Sequence, residues 1–181
     1  MKQLLVAVAM MLSAGGAAAV PINADPLGLE LGVATLADVK AKLKGNSFSD
    51  SGTSAIAGGP MLLVDSPDFG PEGLQSALFV FDAQGRLAAV QMTMPKDFGG
   101  KNVNAIANQL GAKYTQKKRN IPPVGNASAR YVRGKSVVTI DAPHMSFAFT
   151  VSYMTDAFEQ AMVAREDAER QRKADRTKQS L

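Results

Sequence analysis

The chain has no cysteine among its 181 residues. Disulfides, thiolate metal sites, thiol nucleophiles and a cysteine-linked acyl anchor are therefore excluded. Histidine occurs once, at His144. It sits beside Pro143 with no second imidazole to complete a metal site and no nucleophile–base pair, so it reads as a solvated turn residue. Tryptophan is absent and the aromatic content is 6%. No apolar run reaches the roughly 20 residues that a spanning helix needs. Acids are missing from one long stretch, residues 99–135, which carries Lys101, Lys113, Lys117, Lys118, Arg119, Arg130, Arg133 and Lys135.

Motif chemistry is equally sparse. Asp97-Phe98-Gly99 matches three letters of a kinase motif without its other elements. Gly99-Gly100-Lys101 lacks the first glycine and the strand context of a phosphate loop. Asp65, Asp68 and Glu72 offer oxygen ligands, but not at EF-hand spacing, and read as a solvated acidic loop. No catalytic residue, cofactor or metal site is expected.

The amino terminus has the form of a secretory signal. Lys2 precedes the apolar run Leu4–Leu12, and Ala17-Ala18-Ala19 supplies small residues for cleavage; a second cut is possible after Ala24. An uncleaved anchor is the competing reading. The expectation is a bacterial product, periplasmic or secreted, with no integral membrane segment after cleavage.

Beyond the leader, hydrophobic periodicity outlines one α+β domain over residues 26–154. Met145, Phe147, Phe149, Val151 and Tyr153 alternate with Ser146, Ala148, Thr150 and Ser152, the signature of a strand with one buried face. Phe147 and Phe149 are both placed on that face. Residues 26–32 read as an extended lead-in. Thr35 caps a short helix ended near Gly45, and a second helix covers about Asn102–Lys113. Asn46–Pro60 reads as one weak strand in a loose loop, followed by a strand at Met61–Val64. Ala77–Phe81 and Leu87–Met94 make a hairpin around Asp82–Gly85, and Ala129–Val132 pairs with Lys135–Asp141. The order suggests helices packed on one face of a curved antiparallel sheet, a two-layer arrangement. It also suggests a helix–meander pseudo-repeat, about 32–96 and 97–154. A charged helix or tail occupies 155–181, docked by Phe158, Ala161 and Met162.

Gly32–Val39 with Leu43 and Gly45, and the hairpin Phe79–Leu87, resemble helix-and-hairpin units of small exported bacterial proteins. These are the small lipoprotein of the outer-membrane β-barrel assembly machine and the β-lactamase inhibitor protein. The resemblance covers roughly residues 32–94 and extends weakly to the second half. It implies architecture and a non-enzymatic, protein-binding role. This chain lacks the lipidated cysteine of the first and the disulfides of the second, and no functional residue transfers.

The acid-free stretch marks the expected site. Lys117–Gly125 reads as a basic, proline-stiffened loop beside the second hairpin. Lys117, Lys118, Arg119 and Arg133 are the expected partner-binding residues. They would meet an acidic envelope or secreted protein, or an anionic surface, and not nucleic acid, whose modules are absent. Lysines guarding a sheet edge explain the same charges without any partner. The alternatives are a small carboxylate-dependent enzyme using Asp65 and Glu72, or an inhibitor of a secreted enzyme.

Overall fold

A computed structural model describes residues 22–65 and 67–179. The expected leader, Met1–Ala19, lies outside the described residues, as do Ser180 and Leu181.

Thr35 starts helix α1 (Leu36–Lys42) through a capping box: its hydroxyl accepts from the Asp38 N–H at 3.3 Å, and the Asp38 carboxylate accepts from the Thr35 N–H at 2.8 Å. The backbone and side-chain bonds from Thr35 hold the Asp38 carboxyl below its ordinary range. Strands β1 (Ser49–Thr53), β2 (Gly58–Asp65), β3 (Ser76–Asp82) and β4 (Leu87–Pro95) follow, then helix α2 (Lys101–Lys113). Four more strands complete the sheet: β5 (Thr115–Asn120), β6 (Ala127–Arg133), β7 (Ser136–Ala142) and β8 (Ala148–Thr155). Helix α3 spans Asp156–Gln179. All eight strands form one antiparallel sheet in the order β1-β2-β3-β4-β8-β7-β6-β5. The chain is thus α+β, as the periodicity requires.

One face of the sheet carries the main core. Leu62, Val64, Phe79, Val90, Met92, Ile140, Phe149 and Val151 are buried there with Val39 and Leu43 of α1 and with Val103, Ala107 and Leu110 of α2. The buried Tyr131 of β6 donates its hydroxyl to the Ala107 carbonyl at 2.8 Å, which fixes α2 on the sheet. The opposite face holds a smaller cluster, Val80, Ala89 and Met154, covered by Phe158 and Met162 of α3. The helices therefore divide between the two faces. Parity explains why: Met154 and Phe149 lie on the same strand but point to opposite sides. Arg130 and Glu159 pin the first turns of α3 through a two-bond ion pair, its longer bond 2.8 Å. Those bonds from Arg130 hold the Glu159 carboxyl below its usual range. From Glu166 onward the helix is exposed and braced by local pairs such as Arg165–Glu169 at 3.1 Å.

Several boundaries differ from the periodicity. Pro26–Gly28 is a 3-10 turn with Leu27 at φ 57°, not an extended lead-in, though Leu29 and Leu31 are buried. The loose segment after α1 holds β1 and the start of β2, where Gly58 and Gly59 carry no side chain to reveal a strand. The segment Asn23–Asp25 is built into the domain. The Ala24 N–H donates to Ser136 Oγ at 2.7 Å, and Asn23 Oδ1 accepts from the Lys135 N–H at 2.9 Å. The Asp25 carboxylate sits 2.9 Å from Lys113 Nζ. Burial disfavours the charged form of Lys113, but Asp25 and Tyr114 outweigh it and hold the ammonium above the usual lysine range. At Gly134 any Cβ would lie 2.5 Å from the Ile22 carbonyl oxygen, so only glycine fits beneath this strap.

The largest correction concerns the alternating stretch. The strand begins at Ala148, so Met145 and Phe147 precede it and are exposed. Ser146 ends the preceding turn: its N–H donates to the Pro143 carbonyl at 3.3 Å and its hydroxyl to the Ala148 carbonyl at 2.6 Å. Phe149 is 1% exposed and Phe147 79%. Alternation assigns a side, but burial also needs a layer over that side. Phe149→Ala should therefore cost about 3–5 kcal/mol in urea unfolding. Phe147→Ala should stay within about 0.5 kcal/mol. Equal losses would contradict the placement of Phe147 beyond the core.

Candidate functional site: an uncovered apolar loop end

Antiparallel pairing brings three connections to one end of the sheet: 96–100 between β4 and α2, 121–126 between β5 and β6, and 143–147 between β7 and β8. Between them lies a groove of about 300 Å³, lined chiefly by Phe98, Val103, Ile121, Pro122, Met145 and Phe147. Phe98 is 93% exposed and Met145 86%. Val124 is also exposed. The Phe98 and Phe147 rings meet edge to face with centroids 6.5 Å apart, a geometry aromatic pairs prefer. Large apolar side chains scattered singly on a surface need no explanation; a contiguous set on three loops does.

The loops are held by their own polar groups. His144 Nδ1 accepts from the Gly125 N–H at 3.1 Å, and Asn126 Oδ1 accepts from the His144 N–H at 2.8 Å. Lys96 Nζ donates to the carbonyls of Pro143 and His144, and its N–H donates to the Phe147 carbonyl at 2.7 Å. On the α2 side, Asp97 Oδ1 accepts from the Asn102 N–H at 3.4 Å and Asn102 Nδ2 donates to the Pro95 carbonyl. His144 is thus exposed, as a turn residue should be, and also joins two loops of the site.

The expected basic residues fall differently. Lys117, Lys118 and Arg119 lie on β5, an edge strand exposed throughout, and not on a loop; only 121–126 is loop. Both faces of β5 are solvated, so its sequence shows no alternation and hides the strand. Lys117 occupies the irregularity between Gln116 and Lys118. Lys118 lies opposite Arg130, and therefore on the α3 face. Arg119 lies opposite Ala129 on the other face, where it donates to Asn108 Oδ1 at 2.8 Å and Asn104 Oδ1 at 3.0 Å. Arg133 sits three residues beyond Arg130, with its guanidinium 3.7 Å from the Asp25 carboxylate. The four residues do not converge. A lysine-rich, irregular edge is also how sheets resist pairing with other chains.

The acidic candidates do not converge either. Among the described residues no three histidine or carboxylate side chains gather as a metal site. A shallow cavity beside Glu72 is walled by Pro71, Met94 and Ile106, with no second carboxylate.

Sequence reasoning missed Phe98, Val124 and Met145 as site residues. The available signal was a phenylalanine in Asp97-Phe98-Gly99, a turn-rich stretch where no strand or helix periodicity could bury it.

No protein-family model matches the chain, and no curated protein and no solved structure is significantly similar to it.

The His144 bridge is testable. His144→Ala removes the acceptor of the Gly125 N–H, so that amide should exchange with solvent faster. Global stability should change by no more than about 1 kcal/mol, the net worth of one exposed hydrogen bond. Unchanged exchange at Gly125 would contradict the bridge.

Proposed function

We propose that the chain is an exported, non-enzymatic docking module of the bacterial envelope, and that the loop end is its docking surface. The observation that carries this reading is the exposure of Phe98, Met145 and Phe147 around an apolar groove, with Val124 exposed on the loop that supplies its Ile121 and Pro122. A folded domain has no structural use for such a set, whereas a bound partner would remove it from water at about 25 cal/mol per Å². The neighbouring sequence fits an anionic partner: residues 99–135 carry eight cations and no acid, and of these Lys101, Lys117 and Lys118 are not among the three paired with Asp25 or Glu159. Lys101 begins α2 next to Gly100, which lines the groove, and Lys117 and Lys118, on the strand that leads to it, make no ion pair among the described residues.

The carboxylate-enzyme reading has less support, because neither Asp65 nor Glu72 faces a second acid across a cavity among the described residues. Inhibition of a secreted enzyme is one form that docking would take. The two sets β1–β4 and β5–β8, each preceded by a helix, are read as the pseudo-repeat expected from sequence. The burial of Ala24 and the bonds of Asn23 favour cleavage after Ala19, which retains both, over cleavage after Ala24, which removes them.

A photo-crosslinking side chain placed at position 98 or 147 in exported protein tests the docking surface. Position 33, exposed at the opposite end of the sheet, serves as control. Adducts are expected at 98 and 147 and not at 33, on a chain whose mass begins at Val20. Absence of adducts, or equal yield at 33, would overturn the reading, and a mass beginning at Asp25 would overturn the assigned cleavage.

A further inference from the structure

We propose that the surface this loop end meets is an anionic lipid bilayer, into whose headgroup–acyl boundary Phe98, Val124, Met145 and Phe147 insert. The proposal rests on the docking reading above and names its partner.

The loops 96–100, 121–126 and 143–147 form a tip at this end of the sheet. Its side chains are apolar, large and on three separate loops, so they project together rather than lining a deep cleft. Five backbone groups of these loops are engaged within the protein: the Gly125 N–H with His144, the His144 N–H with Asn126, the Pro143 and His144 carbonyls with Lys96, and the Phe147 carbonyl with the Lys96 N–H. A protein partner gains specificity from directional donors and acceptors, and those groups are spent internally. A bilayer demands the opposite, that polar backbone entering it be satisfied within the protein. The loops meet that demand at these five groups.

Charge placement agrees. Lys101 stands at the first position of α2, between Gly100 and Val103, both of which line the groove. Lys118 and Lys117 lie two and three residues before Asn120, where β5 reaches the tip; at the rise of a strand that is about 7–10 Å back. Long lysine side chains at that depth reach phosphate headgroups while the phenylalanines sit below them. Basic residues beside an anionic leaflet add attraction that salt screens. The acids at the same end are Asp97, whose carboxylate accepts from the Asn102 N–H, Asp141 on β7, and Asp65, Asp68 and Glu72 on and after β2. The last three lie toward the β1 side of the sheet, so they tilt the molecule and direct contact to the β5–β6 corner.

Co-sedimentation of the folded protein with vesicles tests this directly. The probes are vesicles of phosphatidylglycerol mixed equally with phosphatidylcholine, and vesicles of phosphatidylcholine alone. Wild type should sediment with the anionic vesicles, far less with the neutral ones, and less as salt rises. The double variant F98S/F147S removes two exposed rings without touching the core and should lower partitioning by about tenfold or more, given the usual worth of burying a phenylalanine. The double variant K117E/K118E should also lower it and flatten the salt dependence. Circular dichroism confirms that each variant is folded. No sedimentation by wild type, or unchanged sedimentation by F98S/F147S, would overturn the proposal. So would concentration-dependent self-association of wild type that the same variant abolishes, since the tip would then cover a second copy. Protein adducts at 98 and 147 without vesicle binding sink the bilayer and keep the docking surface; no adducts of any kind sink both.

Discussion

The antiparallel contact between β4 and β8 is the interaction on which the rest of the structure depends. Residue pairs run from Ala89 opposite Met154 to Pro95 opposite Ala148. Each strand is the last of its own meander, and each is flanked by the rest of that meander on its outer side. Without this contact the sheet would be two four-stranded pieces, each exposing an apolar edge. With it, Val90, Met92 and Met94 meet Phe149, Val151 and Tyr153 on one continuous face that α1 and α2 cover. Tyr153 records how dry that face is, its phenol held far above the ordinary range by burial. The two exposed edges that remain, β1 and β5, are polar and irregular in register, which blunts their capacity to pair further.

The same contact leaves the loop end uncovered. The pairing finishes at Pro95 and Ala148, and only the Lys96 N–H to Phe147 carbonyl bond extends past it. Helix α2 starts behind that point, at Lys101, and crosses toward β5, so no element lies over Phe98, Met145 or Phe147. The loops are nevertheless fixed, by His144, Asn126, Lys96 and Ser146. An apolar surface held in place loses little entropy when something covers it, and preorganisation of this kind favours binding. The stability of the domain and the availability of the tip thus come from different residues, which allows one to be altered without the other.

What the sequence discloses follows from the physics of each element. The Thr35 capping box, the hairpin turn at Asp82–Gly85 and the alternation of β4 and β8 were legible, because a local rule and burial agree there. Strand β5 was not, since an edge solvated on both faces leaves no period in Thr-Gln-Lys-Lys-Arg-Asn. Phe147 misled because its parity is right and only its position past the covering helix is wrong. The site itself was least legible. Basic residues drew attention by being consecutive, yet Lys118 and Arg119 point to opposite faces of β5. The exposed apolar residues are dispersed over some fifty positions of sequence, from Phe98 to Phe147, and only the antiparallel topology assembles them.

The natural absence of tryptophan makes the central claim directly measurable. A single tryptophan in place of Phe98 becomes the only indole in the molecule. Its fluorescence should be that of a fully hydrated ring in the free protein and should move to shorter wavelength when anionic vesicles are added. Emission that is already that of a buried ring in the free protein would contradict the account, because the loop end would then be closed on itself and have no surface to offer.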